Sequence, residues 1–273
     1  MENSCLKPTS ILILVILGVV ATTAQASEFA AHRGLYNLSL VQARSGNGIS
    51  NAIGKMAIEW NNNCTGWAFQ YHSIIDVIFH EGAPVRLSSN ASSWESGDGL
   101  NYRFSVRHKT NDKEMEHIEG FAKLTAANGA GTTQFTHPKP LMIDLPLGTI
   151  FPVAHSLAIM RAAKRGRMPQ FVSRTVFDGM DVKGLYQVNA VIGPGNLPQL
   201  EDPDQVNLMK RMPSWPVNLA YFAIDSSKAA PDHEVMMLLF ANGVVDDLII
   251  DFEDFILRAR LSQVELFPDP SCR

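Results

Sequence analysis

Leu100-Asn101-Tyr102-Arg103-Phe104-Ser105-Val106-Arg107 alternates without a break, with Leu100, Tyr102, Phe104 and Val106 on one side and Asn101, Arg103, Ser105 and Arg107 on the other. Successive side chains of a β-strand point to opposite faces, so this is the pattern of an antiparallel strand with one dry face and one wet face. The same grammar extends in both directions. Tyr36, Leu38 and Leu40 share a face upstream, and Met56, Ile58 and Trp60 alternate with Lys55, Ala57 and Glu59. Trp67, Phe69 and Tyr71 resume the pattern just past Cys64, which places Cys64 at a turn between two strands. Residues 74–80, 117–124 and 185–192 add further runs.

Turn chemistry separates these runs. Asn47-Gly48 tolerates the positive φ that a tight connection needs, and Asn242-Gly243, between residues 234–241 and 244–251, is a strong hairpin signal. Beyond it Phe255, Leu257, Ala259 and Leu261 share a face, but the apolar parity shifts by Val264 and Leu266, which predicts a bulge near Ser262-Gln263. Prolines 268 and 270 keep the tail from joining a ladder as an ordinary strand.

One segment, residues 152–166, departs from the β pattern. Pro152 stands at an N-terminal position, the interior lacks Gly and Pro, and Leu157, Met160 and Ala163 are spaced for one helical face, with Gly166 as a left-handed stop. About 12 strands and one principal helix predict an all-β, mainly antiparallel architecture, barrel-like or sandwich. Prolines at residues 194–203 and 213–216 mark long connections, and with no sharp composition shift residues 27–273 read as a single domain.

The N-terminus carries Lys7, an apolar stretch over residues 11–20 and the small-residue site Ala24-Gln25-Ala26, so residues 1–26 read as a signal peptide cleaved near Ala26. Ten apolar residues are too few for the roughly 20 that a spanning helix needs. Cys5 leaves with this segment. Cys64 and Cys272 remain, and an even pair in an exported protein reads as one disulfide. A hydrophobic fraction of 46% excludes disorder, and a net charge of −4 gives no electrostatic footprint for nucleic acid.

Catalytic signatures are missing. There is no Gly-x-Ser-x-Gly elbow and no Gly-rich phosphate loop, and His80-Glu81 is followed by Pro84 where a zinc protease needs its second histidine. The eight histidines are scattered without a His-x-His pair, so neither a metal nor a cofactor is implied. His155 is the most suggestive of them, either a general base near Asp178 or Asp181 or a polar group satisfying loop backbone; Asp178-Gly179 also reads as a turn. The basic run from Arg161 to Arg167 is either a docking patch or a solvated helix end, and Trp60, Trp67, Trp94 and Trp215 either line a cavity or fill a core.

The chain resembles the cell envelope integrity (EipB-type) family of periplasmic proteins from Gram-negative bacteria. The resemblance spans essentially the whole exported chain. It rests on His32-Arg33-Gly34-Leu35-Tyr36, on Ser93-Trp94-Glu95-Ser96-Gly97-Asp98-Gly99, and on Leu145-Pro146-Leu147-Gly148-Thr149-Ile150-Phe151-Pro152 leading to His155. It continues through Thr175-Val176-Phe177-Asp178-Gly179, Trp215-Pro216-Val217 and a tail ending at Cys272. The resemblance implies a β-spiral, an incomplete barrel wound around one helix, similar to periplasmic lipoprotein carriers. It also implies a disulfide joining an early strand to the C-terminal tail, at positions matched by Cys64 and Cys272. It supplies no catalytic residues. The expected function is therefore non-catalytic support of the envelope by binding an envelope or periplasmic protein, with a carrier of lipid or lipoprotein acyl chains as the alternative; the ligand-binding residues are not identified.

Overall fold

The computed structural model describes residues 29–182, 184–195, 209, 212–225, 228–252, 254–268 and 270. The expected signal peptide, Cys272 and most of the proline-bearing stretch from 194 to 203 lie outside these. The first half of the fold is a meander of β1 (His32–Ala43), β2 (Ile49–Asn62), β3 (Gly66–Phe79), β4 (Val85–Ser96), β5 (Asn101–Thr110), β6 (Lys113–Leu124), β7 (Gly131–His137) and β8 (Leu141–Leu145). A short β9 (Thr149–Ile150) and the helix α1 (Pro152–Lys164) follow. The second half is β10 (Gln170–Phe177), β11 (Leu185–Ile192), β12 (Ser214–Ala223), β13 (His233–Phe240), β14 (Val245–Asp251) and β15 (Phe255–Leu266).

Among the described residues 15 strands form one sheet, and β1 pairs with both β2 and β15, so the two halves grow outward from β1 and β15. The free edges are β8 and β9, which are consecutive in sequence. The sheet is thus a nearly closed barrel, as the β-spiral expectation requires. Among the described residues the one parallel pair is β9 with β10, and a parallel pair needs a crossover connection, which α1 supplies. The helix buries Val153, His155, Ile159, Met160, Ala162 and Ala163 against the sheet interior.

Alternation decides which residues face inward. Tyr102, Phe104 and Val106 are buried, as are Tyr36 and Leu38. Trp67 to Val77 keeps one parity throughout, so two runs read separately in the sequence are one 14-residue strand, β3. The hairpin at Asn242-Gly243 forms with Gly243 at φ +90°. The β1–β15 register slips between Leu35–Gln263 and Tyr36–Leu261, leaving Ser262 as the extra residue of the predicted bulge. The helix ends at Lys164, and Gly166 takes φ +79° as its left-handed stop.

The strand number corrects the expectation of about 12. The Ser-rich β4 has few large apolar residues, and β8 and β9 are too short to show a period. Pro216, read as part of a connection, lies within β12. Its carbonyl accepts the Gly193 N–H at 2.9 Å. The missing N–H of Pro216 therefore faces the end of β11 rather than a ladder.

Candidate functional site

The helix N-terminus fixes the interior site. Phe151 occupies the N-cap position and offers no side-chain acceptor, leaving the first N–H groups of α1 without a local partner. Glu95 of β4 supplies it: the carboxylate accepts the N–H of Val153 at 2.7 Å and of Ala154 at 3.1 Å. Glu95 is 3% exposed. Burial pushes its carboxyl up to about 7, against the lowering effect of those two hydrogen bonds.

Between α1 and the sheet lies a cavity of about 310 Å³. Its wall is largely apolar, with Phe29, Trp60, Phe69, Ile159, Met160 and Leu219 among the lining residues. His32, His155, Ser156, Asp178 and Tyr221 add polar groups. Of the four tryptophans only Trp60 lines this cavity; Trp67 and Trp215 pack at the rim of the core around α1, and Trp94 lies in an outer groove.

The structure brings His155 and Asp178 to one cavity and leaves Asp181 out of its lining. Asp181 instead accepts the Tyr186 hydroxyl and the Gly184 N–H. His155 is 5% exposed, and its Nε2 has no hydrogen-bond partner. Burial first, and the positive charge of Arg174 second, lower its pKa to about 4. Ser156 donates its hydroxyl to the Pro152 carbonyl at 2.9 Å. A nucleophile must be hydrogen-bonded to its base for activation, and His155 with Ser156 makes no such pair. Burial raises the Asp178 carboxyl to about 7, with the like charge of Asp181 adding to it, and its Oδ1 accepts the Met180 N–H at 3.0 Å. Asp178 thus closes the turn, the second of the two roles read from Asp178-Gly179.

The outer face carries a second feature. Phe171, Val191, Asn218, Met236 and Ile249 are joined by successive cross-strand pairs from β10 to β14. Phe171 is 71% exposed, Met236 47% and Val191 42%. A shallow hollow runs along this row, lined by Val191, Pro216, Asn218, Met236, Leu238 and Ile249. The alternation rule that finds buried strand faces does not find it, because this face is apolar where water is expected. The basic run is exposed at Lys164, Arg165 and Arg167, as a helix end in solvent would be. Cys64 sits between β2 and β3 at φ 65°.

Three donors that sequence spacing did not connect also meet on the outer face: His117 and Glu119 of β6, and His137 of β7. His117 and Glu119 are two apart on one strand and so share a side, whereas His137 reaches them only through strand pairing.

A model of the EipB-like family matches residues 23–268. The chain is 28% identical over 251 residues to the cell envelope integrity protein EipB of Brucella abortus (strain 2308), covering 90% of this chain and 88% of that protein. A crystal structure described as a beta-barrel-like protein of domain of unknown function DUF1849 from Brucella abortus matches with a TM-score of 0.79 at 24% identity, over 88% of this chain and 99% of that one. At that identity the structural likeness speaks for the fold.

Proposed function

This chain belongs to the EipB-like family, and from that premise we propose that it is a non-catalytic periplasmic protein that supports cell envelope integrity by binding an envelope or periplasmic protein partner. The row Phe171–Val191–Asn218–Met236–Ile249, apolar except at Asn218, carries the reading. Exposed apolar side chains grouped on an outer sheet face gain little from folding and mark interaction sites. The interior cavity supports a non-catalytic role, because Ser156 there donates to the Pro152 carbonyl and not to His155, and the relative's name supports the envelope. Crosslinking in periplasm tests the proposal: a discrete crosslinked species is expected with the parent chain and is lost with Phe171→Ser. No such species with the parent would overturn it.

A second reading, a carrier of an apolar ligand, is favoured by the cavity under α1. Its volume of about 310 Å³ is at the bottom of the roughly 300–1,000 Å³ range of small-molecule pockets. It would take one short acyl chain rather than a multi-chain lipoprotein anchor. Native mass spectrometry after gentle extraction separates the readings, since a carrier arrives with bound mass.

Export through residues 1–26 and a Cys64–Cys272 disulfide complete the proposal. Strands β2 and β15 both run antiparallel to β1, hence parallel to each other, and Trp60 and Leu266 both pair with His32. Cys64 follows Trp60 by four residues and Cys272 follows Leu266 by six, so both segments leave the sheet over the same end. Phe267 donates its N–H to the Ala31 carbonyl at 2.8 Å.

A further inference from the structure

We propose that His117, Glu119 and His137 form a binding site for a divalent transition-metal ion of the zinc class on the outer face of the sheet. His117 Nε2 lies 3.3 Å from Glu119 Oε2, and His137 Nδ1 lies 3.7 Å from the same oxygen. All three donor atoms fall within 4.8 Å of one another. Zinc binds imidazole nitrogen at about 2.0–2.1 Å and carboxylate oxygen at about 2.0–2.2 Å, so the edges of a tetrahedral site are roughly 3.4 Å. Two of the three edges already approach that length, and rotation of the exposed Glu119 and His137 side chains closes the third.

The backbone builds the arrangement. Glu119 and His137 are cross-strand partners, and the β6–β7 register slips immediately after them, between Glu119 and Gly120. Thr136, in the irregular segment, donates its hydroxyl to the Glu119 carbonyl at 3.2 Å and so anchors the β7 end to β6. The His117 and His137 rings stack with centroids 4.3 Å apart and planes 21° apart, which brings both imidazoles to one side of the sheet.

His117 gives an independent indication. Its Nε2 is shut off from solvent and makes no hydrogen bond, although Glu119 Oε2 lies 3.3 Å away. A buried ring nitrogen normally has a hydrogen-bond partner. A ring nitrogen without a hydrogen bond, beside a carboxylate and a second imidazole, is placed to serve as a metal ligand in its unprotonated form. Arg107 pairs with His117 across β5–β6, and its Nη1 is held by Glu114 Oε2 at 3.1 Å. Two imidazoles and one carboxylate select zinc, nickel or copper over magnesium, which prefers an all-oxygen shell. An ion here ties β7 to β6, one strand in from the free edge β8, and keeps a fourth coordination position toward solvent.

The test is calorimetric titration of zinc chloride into metal-free, tag-free protein, with thermal melts in parallel. One equivalent is expected to bind. At about 100 times Kd the melting temperature should rise by roughly 5–10 °C. His137→Ala and Glu119→Gln, both at exposed positions, should each weaken binding at least about 10-fold, while melting with the parent when metal-free. Magnesium should leave the melt unchanged. Absence of stoichiometric zinc binding, or equal affinity in the parent and both variants, overturns the site.

Discussion

Glu95 on β4 accepts the N–H of Val153, at the start of α1, at 2.7 Å. One buried carboxylate therefore fastens the helix inside the barrel to the wall, across 58 residues of sequence. The short segment from β8 to α1 joins the two sheet edges, and this hydrogen bond holds its far end in place.

Glu95→Ala leaves two helix N–H groups buried and unpaired. Above about pH 7, where Glu95 is ionised, loss of this charge-assisted buried acceptor costs about 2–3 kcal/mol, so the melting temperature should fall by roughly 5–10 °C. A melt matching the parent's would show that the helix is held by packing alone.

Glu95 and His155 pull stability in opposite directions with pH. Burial raises Glu95 from its ordinary 4.5 to about 7, so the folded chain keeps a proton that the unfolded chain releases. That contribution is complete below about 4.5 and is lost as pH rises toward about 7. Burial lowers His155 from 6.5 to about 4, so the unfolded chain takes up a proton that the folded chain refuses. Its contribution is present above about 6.5 and is lost as pH falls toward about 4. Denaturant titrations across this window should show the parent losing stability relative to Glu95→Gln as pH rises, and gaining it relative to His155→Gln. His155→Gln should also retain function. Differences that do not change with pH would contradict both assignments.

Gly179 has φ +65°, and a Cβ there would lie 2.5 Å from the Phe104 ring. Gly179→Ala combines backbone strain with overpacking between the β10 end and β5, a loss of about 2–4 kcal/mol. Phe104→Ala removes the three atoms that the new Cβ would meet, so the double variant should lose less than the sum of the two single losses. Additive destabilisation in the double variant would count against this packing.

Much of this fold is legible in the sequence, and the failures are specific. Leu100 to Arg107, Asn242-Gly243, Ser262 and the helix start at Pro152 carry their own signals, because period, turn chemistry and parity are local. β4 carries no clear alternation signal, because its buried positions are Ala91 and Glu95 rather than large apolar residues. Pro216 was misread because its tolerance depends on where β11 ends. The role of Glu95, the meeting of His117 with His137, and the Phe171 row all arise from strands distant in sequence, and register cannot be read from alternation alone.

Cys64→Ser and Cys272→Ser should destabilise equally, since each removes the same link. The bond would close a loop of about 209 residues, for which chain entropy gives an upper figure of roughly 5 kcal/mol. Reduction of the parent should reproduce the loss and speed proteolysis of the tail. Unchanged melting on reduction would refute the pairing.

The most direct measurement of the central claim, that this protein acts by docking a partner on its outer face, is colony survival on detergent. A strain lacking the gene would carry either the parent or Phe171→Ser combined with Met236→Ser, after melts establish that the double variant is as stable as the parent. The account predicts that the parent restores survival and the double variant does not; equal restoration by both would contradict it.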